Sequence, residues 1–342
     1  MIIKILKNKI RNIIYSKRTG VKFNNSTNFI FKINELKYYL KSFGNLNKNK
    51  IFYIIQRSPG GGLFSNLNYV LHHLKISIDM GFVPVVDMQN FTTKYNIKKK
   101  FYNTYNSWEY YFKPLSKYKL NEVYKSKNVI ITDGKTRKIK FFDNFFSLTA
   151  AHKSLFNKYI KINSKILIKK KLFKNIHLKN IKYLGVHFRG SDMKFQERHP
   201  FPPTVKQITQ KINFFLNKYN YQKIYLVTEE LKYLKILKKL YGNKIIHYNS
   251  FKSNKTDIFK SNRFNHRARL GEENLIDMLL LKDSDRVICS KSHLSEASLY
   301  FNKKLKNKMH IIDNGFNSNN LLIAQFLWII KNNIPRFFGG FN

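Results

Sequence analysis

Cysteine, acid and arginine are all scarce in this chain of 342 residues, and each scarcity excludes something. A single cysteine, Cys289, rules out a disulfide within the chain and any cysteine-rich metal site, and makes a reducing cytosol the simplest home. Acids number 19 against 64 Lys and Arg, so the formal charge is +45 and anionic partners are attracted at low salt. No stretch approaches the ~18 continuous apolar residues of a spanning helix, and the N-terminal apolar runs are too interrupted for a secretory signal. Zinc-finger spacings, basic zippers, aromatic RNP-like strands, Walker loops and Gly-x-Ser-x-Gly elbows are also missing. With them go the readable signatures of specific nucleic-acid binding, of P-loop chemistry and of a hydrolase triad. The lysine excess is spread along the chain beside abundant Asn and Ile, the pattern of an AT-rich coding sequence rather than of a basic patch.

What is present is enough apolar material to fold. Hydrophobic residues make up 43% and aromatics 15%, and the length suits two α/β units of roughly 150 residues each. Met1 to Arg18 carries Ile2, Ile3, Leu6, Ile10, Ile13 and Ile14 at helical spacing between bases. It reads as a basic amphipathic helix that either touches an anionic membrane or packs on its own domain. Then Ile51 to Ile55 reads as a buried strand, Ser58-Pro59-Gly60-Gly61-Gly62 breaks it, Asn66 to Met80 is helical, and Phe82 to Asp87 is a second strand. The glycine turn lets backbone amides approach a ligand at a helix start, or is simply a tight connection. Asn103 to Leu115, rich in Tyr and holding Trp108 and Glu109, either stacks on a sugar or covers the core.

From a junction placed near Lys170 to Asn180, the alternation of strand and helix repeats. Strands are expected at Tyr183–His187, Lys223–Val227, Ile245–Tyr248 and Arg286–Cys289, with helices at Val205–Asn217, Leu231–Tyr241 and Glu273–Leu281. That order implies a parallel doubly wound sheet. The expected organisation is a basic N-terminal segment over 1–45 and two Rossmann-like domains over 46–175 and 176–342, the second ending in a C-terminal helix.

Chemistry is expected where the first of those strands ends. Arg189 offers a rigid fork of donors suited to a diphosphate, His187 can donate to a sugar or phosphate oxygen, Asp192 can orient either, and Glu197 is a general base. Only eleven of the bases are Arg, and six of them (Arg189, Arg198, Arg263, Arg267, Arg269 and Arg286) lie between positions 189 and 286. Ser290, Ser292, His293 and Ser295 follow the last strand, where hydroxyls and amides cradle phosphate oxygens or merely cap a helix. Asp277 is either a buried acceptor or a solvated helix acid. Asp283-Ser284-Asp285 has the form of a metal-binding Asp-x-Asp, but precedes its strand and so reads as a hydrated turn on the wrong edge.

Together these clusters resemble the fucosyltransferase superfamily of α1,6-fucosyltransferases, nodulation fucosyltransferases and protein O-fucosyltransferases. The resemblance rests on His187-x-Arg189 with Asp192 and Glu197, on Asp277, Asp285, Cys289, Ser290 and Ser292, and on the loop of Gly61 and Gly62 with Asn66. Gly190 and Met193 depart from the α1,6 pattern, standing where that group has a second Arg and a Lys; Lys194 follows one position later. The resemblance implies two Rossmann-like domains facing a cleft, the GT-B arrangement. It further implies a metal-independent inverting transfer from GDP-fucose to a glycan. Arg189 would hold the β-phosphate, His187 the donor, Asp277 the guanine, and Glu197 the acceptor proton. Another nucleotide sugar as donor, or a non-enzymatic polyanion-binding role, are the competing readings.

Overall fold

The structure is a computed structural model and describes residues 28–33, 36–134, 150–254 and 257–341. The expected helix over Met1 to Arg18 lies outside them. The described chain divides into two compact units, the first ending at Asn163 and the second beginning at Ser164.

In the first unit, strands β1 (Asn28–Ile33), β2 (Leu36–Lys41), β3 (Leu46–Ile55), β4 (Val83–Val86) and β5 (Ser126–Ile131) form one sheet in the order β1-β2-β5-β3-β4. β3 lies parallel to both β4 and β5, and its apolar end, Phe52 to Ile55, is fully buried. β4 contains Pro84, tolerated because β4 is the sheet edge and needs no ladder bond on its open side. β1 and β2 pair antiparallel, and β2 joins β5. Part of the expected basic segment is therefore sheet: the β-prone residues of Asn28–Ile33 and Leu36–Lys41 are interspersed with lysines that mask their pattern. Helix α1 (Leu63–Asp79) starts a turn earlier than Asn66, since Gly62 is already its N-cap, and it buries Leu67, Val70, Leu71 and Leu74 as expected. Two further helices, α2 (Leu120–Val123) and α3 (Ala150–Tyr159), belong to this unit. Trp108, Tyr110, Tyr111, Phe112 and Leu115 are buried, which decides the aromatic segment in favour of covering the core; Tyr105 keeps an exposed ring.

The second unit opens with α4 (Ser164–His177), whose Lys169 pairs with Glu272 and whose Lys170 and Lys174 pair with Asp283. Those ion pairs attach this helix to the second unit, ahead of the junction expected near Lys170 to Asn180. Its strands are β6 (Tyr183–His187), β7 (Lys223–Val227), β8 (Ile245–Ile246), β9 (Arg286–Cys289) and β10 (Met309–Ile311), all parallel in the order β10-β9-β6-β7-β8. β8 is shorter than the expected Ile245–Tyr248. Helices α5 (Val205–Tyr219), α6 (Leu231–Tyr241), α7 (His266–Leu281), α8 (His293–Phe301) and α9 (Leu321–Asn333) complete it. Leu184, Val186, Ile208, Ile212, Ile224, Leu226, Leu237 and Ile288 share one buried cluster, so the alternating apolar faces of strands and helices close on each other. The chain steps outward from β6 through β7 and β8, then continues on the other side of β6 with β9 and β10. Order reverses between β6 and β9, and the C-terminal ends of the strands at such a reversal are where open α/β sheets bind ligands.

Two local devices hold β6 and α5 in place. Gly185 packs against the end of α7: an added Cβ would meet Ser284 Oγ at 2.6 Å and Leu281 Cδ1 at 2.9 Å. Thr204 and Gln207 form a reciprocal capping box at the start of α5, and Asn220 ends that helix in the left-handed conformation. Gly185→Ala should overpack the β6–α7 contact and lower stability by about 1–3 kcal/mol, whereas Thr204→Ala should cost about 1 kcal/mol through the lost cap. Urea unfolding of both variants checks this; an unchanged midpoint for Gly185→Ala would mean the contact yields without strain.

Candidate active site

At the end of β6 the His187 ring is buried, and its Nδ1 lies 2.8 Å from Ser295 Oγ and 3.4 Å from Ser292 Oγ. Ser292 is the N-cap of α8, its Oγ accepting from the Ser295 amide, so the capping role weighed from sequence is realised. Ser292 Oγ also donates to Ser295 Oγ at 3.1 Å. Burial, helped by the nearby Arg189 charge, pulls the His187 pKa down to about 3, so the ring is neutral at physiological pH. Ser290 is fully buried, and its hydroxyl has no hydrogen-bond partner among the described residues. Buried hydroxyls are ordinarily paired, so an oxygen-rich ligand at this edge would satisfy it. His293 Nδ1 approaches Glu296 at 3.4 Å on the first turn of α8. Cys289 beside them is buried, which pushes its thiol up to about 12 and makes it inert as a nucleophile.

Arg189 is held by two carboxylates. Its Nε donates to Glu229 Oε1 at 3.2 Å and its Nη2 to Asp192 Oδ1 at 3.1 Å, with the side chain one-third exposed. Glu229, from the end of β7, was not singled out by sequence. Neither was Glu230, which takes both hydrogen bonds of Lys194, at 2.8 and 3.1 Å, while the Lys194 ammonium also lies over Tyr233 and Trp328. Glu230 explains the departure at Gly190: a Cβ there would fall 2.1 Å from Glu230 Oε1 and 2.7 Å from Tyr233 Cε2. The position has no room for a second Arg while Glu230 stays in place. Glu197 is exposed on the same loop, and among the described residues its carboxylate has no hydrogen-bond or ion-pair partner. The structure therefore does not bring Glu197 into the Arg189 set, and Lys194 is given to Glu230. His199, also missed from sequence, feels the charges of Arg189, Asp192 and His293, and burial lowers its pKa.

Asp277 stands apart from this edge. It is buried beneath the middle of β7, where the Tyr225 hydroxyl donates to its Oδ1 at 2.6 Å, and Ser250 and Lys252 also face it. It is the buried acceptor, not the solvated acid. Asp283 and Asp285 precede β9, on the opposite edge from His187. Asp283 is engaged by Lys170, Lys174 and Lys282, and Asp285 by Tyr221 and Lys308. Among the described residues no three His, Cys, Asp or Glu side chains are grouped to hold a metal ion. In the first unit, Asn66 Oδ1 accepts from Gly61 N at 3.0 Å and from Arg57 Nε at 2.9 Å, so Asn66 clamps the glycine loop. Gly60, at φ +70°, lies so close that a Cβ would meet Asn66 Oδ1 at 2.7 Å. An added Cβ at Gly62 would meet nothing within 4 Å. Arg57, one of the eleven arginines but outside the cluster at 189–286, is buried over Tyr69, and its Nη1 has no partner among the described residues.

Burial raises the Asp277 pKa to about 6, against the opposing pull of Lys252 and Tyr225. The folded state thus holds a proton that the unfolded chain has released, and stability is lost as pH rises through the folded value. Measured against Asp277→Asn by urea unfolding, the wild type should lose about 2 kcal/mol of relative stability between pH 4 and pH 7. A pH-independent difference would remove the buried-acid assignment.

No protein-family model matches the chain, and no curated protein matches its sequence. Among solved structures it is similar to NodZ α-1,6-fucosyltransferase soaked with GDP-fucose, at 15% identity and a TM-score of 0.47, over 74% of this chain and 93% of that one. A fucosyltransferase NodZ from Bradyrhizobium matches at 15% identity and a TM-score of 0.42, over 70% and 88%. POFUT1 in complex with GDP-fucose matches at 9% identity and a TM-score of 0.44, over 79% and 99%. At these scores the likeness carries no weight for function.

Proposed function

We propose that the chain is a glycosyltransferase that moves fucose from GDP-fucose to a glycan hydroxyl with inversion and without a metal ion. The observation that carries this reading is the set at the C-terminal ends of β6 and β9: a neutral His187, the braced Arg189 and the orphaned hydroxyl of Ser290 beside the first turn of α8. Donor amides at a helix start and a guanidinium fork suit a diphosphate, and the motif resemblance names the nucleotide sugar. The acceptor oxygen attacks C1 of fucose from the face opposite the diphosphate, forming the new C–O bond with inversion. Its proton passes to the Glu197 carboxylate, the bond from C1 to the β-phosphate oxygen breaks, and its electron pair leaves on GDP. Arg189 and the Ser290–Ser292 loop hold the charge that builds on the leaving diphosphate. Glu229 and Asp192 act through Arg189, fixing its plane. In the same reading Asp277 serves the guanine, after exchanging one of its present partners, and the glycine loop of Gly61, Gly62 and Asn66 serves the acceptor side.

Nucleotide release, measured with GDP-fucose, GDP-mannose and UDP-sugars in the presence and absence of a glycan extract, tests the reading. Acceptor-stimulated GDP release from GDP-fucose alone is expected; release from a different donor reassigns the sugar, and silence with all donors rejects the enzyme. Arg189→Lys should weaken GDP binding about ten-fold or more, because a point charge replaces a two-pronged donor. Glu197→Gln should keep GDP affinity while turnover falls by about 10²-fold or more; full turnover in that variant would take the proton transfer away from Glu197.

A further inference from the structure

The face of α9 that points away from the second unit is apolar. The helix packs through Ala324, Leu327 and Trp328, the Trp328 indole donating to Pro202 O at 3.2 Å. On its other side Leu321, Leu322, Ile323, Phe326, Ile329 and Ile330 are all exposed, Leu322 to 74% and Phe326 to 62%. The chain then turns at Pro335 and presents Phe337 and Phe338, exposed to 92% and 72%. Scattered exposed apolar residues are ordinary, but a continuous helical face followed by two bare phenylalanines marks a binding surface.

Charge selects the occupant. Beyond Asp313 the chain contains no acid, while Lys331 and Arg336 lie in the helix and its exit. Several acids of the second unit are already engaged elsewhere: Glu230 by Lys194, Glu272 by Lys169, Glu273 by Arg263, Asp313 by Lys291. They leave the surplus of bases uncompensated. A second copy of a chain with a formal charge of +45 would be repelled from this face, whereas an anionic surface would be drawn to it. The helix has 13 residues, and no helix among the described residues is long and apolar enough to cross a membrane. An apolar face of this length flanked by bases lies in the plane of a bilayer interface.

We propose that the α9 face, with Phe337 and Phe338, docks the protein on an anionic phospholipid bilayer. This surface is distinct from the N-terminal segment considered from sequence, and it stands independently of the transferase reading. Docking there would also bear on the loop after Arg189, because Gln325 Nε2 donates to Phe195 O at 3.3 Å and Asn317 Nδ2 bridges Lys194 O and Ala324 O.

Sedimentation of the full-length protein with vesicles of phosphatidylcholine alone, or mixed with phosphatidylserine, tests the proposal. The wild type should bind the mixed vesicles and not the neutral ones. Phe326→Glu with Ile330→Glu should reduce binding about ten-fold or more, with an unchanged far-UV circular dichroism spectrum and melting temperature. Lys179→Gln with Lys218→Gln removes the same formal charge from exposed positions elsewhere and should bind nearly as the wild type does. Equal losses in both pairs would show charge attraction without docking and overturn the proposal. So would a concentration-dependent dimer that the Glu pair abolishes, without vesicle binding by the wild type. As a check that needs no variant, mixed vesicles should protect Phe337 and Phe338 from chymotrypsin; undiminished cleavage while the protein is vesicle-bound would place the bilayer on another face.

Discussion

The bond between His187 Nδ1 and Ser295 Oγ joins the end of one strand to the first turn of a helix that follows another, across 108 residues of sequence. Its geometry exists only because β6 and β9 are neighbours at the point where strand order reverses. The pairing of β6 on β9, the close seat of Gly185 on α7 and the Ser292 cap all converge on it. Around it the sheet ends in a buried hydroxyl, a neutral imidazole and a braced guanidinium. The topology of the sheet alone brings these groups together.

Electrostatics in this chain is a matter of where the few acids are placed. Glu229 and Asp192 orient Arg189, Glu230 immobilises Lys194, and Asp283 ties α4 to the second unit through Lys170 and Lys174. Each of these acids fixes a base that would otherwise be a mobile surface charge. The partly buried pairs are valuable for position more than for net stability, since desolvation offsets much of their attraction. The excess of 64 Lys and Arg over 19 acids acts as a field on anionic partners at long range.

Much of this was legible in the sequence, and the failures have physical causes. β6, β7 and β9 could be read because short apolar runs stop at polar residues where the strand leaves the sheet, which also located His187, Arg189, Asp192, Ser290 and Ser292. Helix α5 followed from its periodicity. β1 and β2 were missed because lysines interrupt their pattern, and the unit boundary was displaced because α4 is attached by ion pairs that composition does not reveal. The grip of Glu229 on Arg189 and of Glu230 on Lys194 spans 40 and 36 residues, beyond the reach of any local motif. The same distance hid the carboxylate of Glu230 that crowds Gly190. Asp277 could be read either as a buried acceptor or as a solvated helix acid, and its burial against Tyr225, 52 residues away in sequence, was beyond local reading.

The central claim is that the β6–β9 edge is a built site for a nucleoside diphosphate rather than a sticky basic surface. Calorimetric titration of the full-length protein with GDP, and separately with inorganic polyphosphate, at low and high salt tests it most directly, with His187→Ala alongside. The account predicts one saturable GDP site that persists at high salt and is lost in the variant, while polyphosphate binding fades as its counterions are displaced. GDP binding that disappears with salt as steeply as polyphosphate binding, or that the variant retains in full, would contradict it.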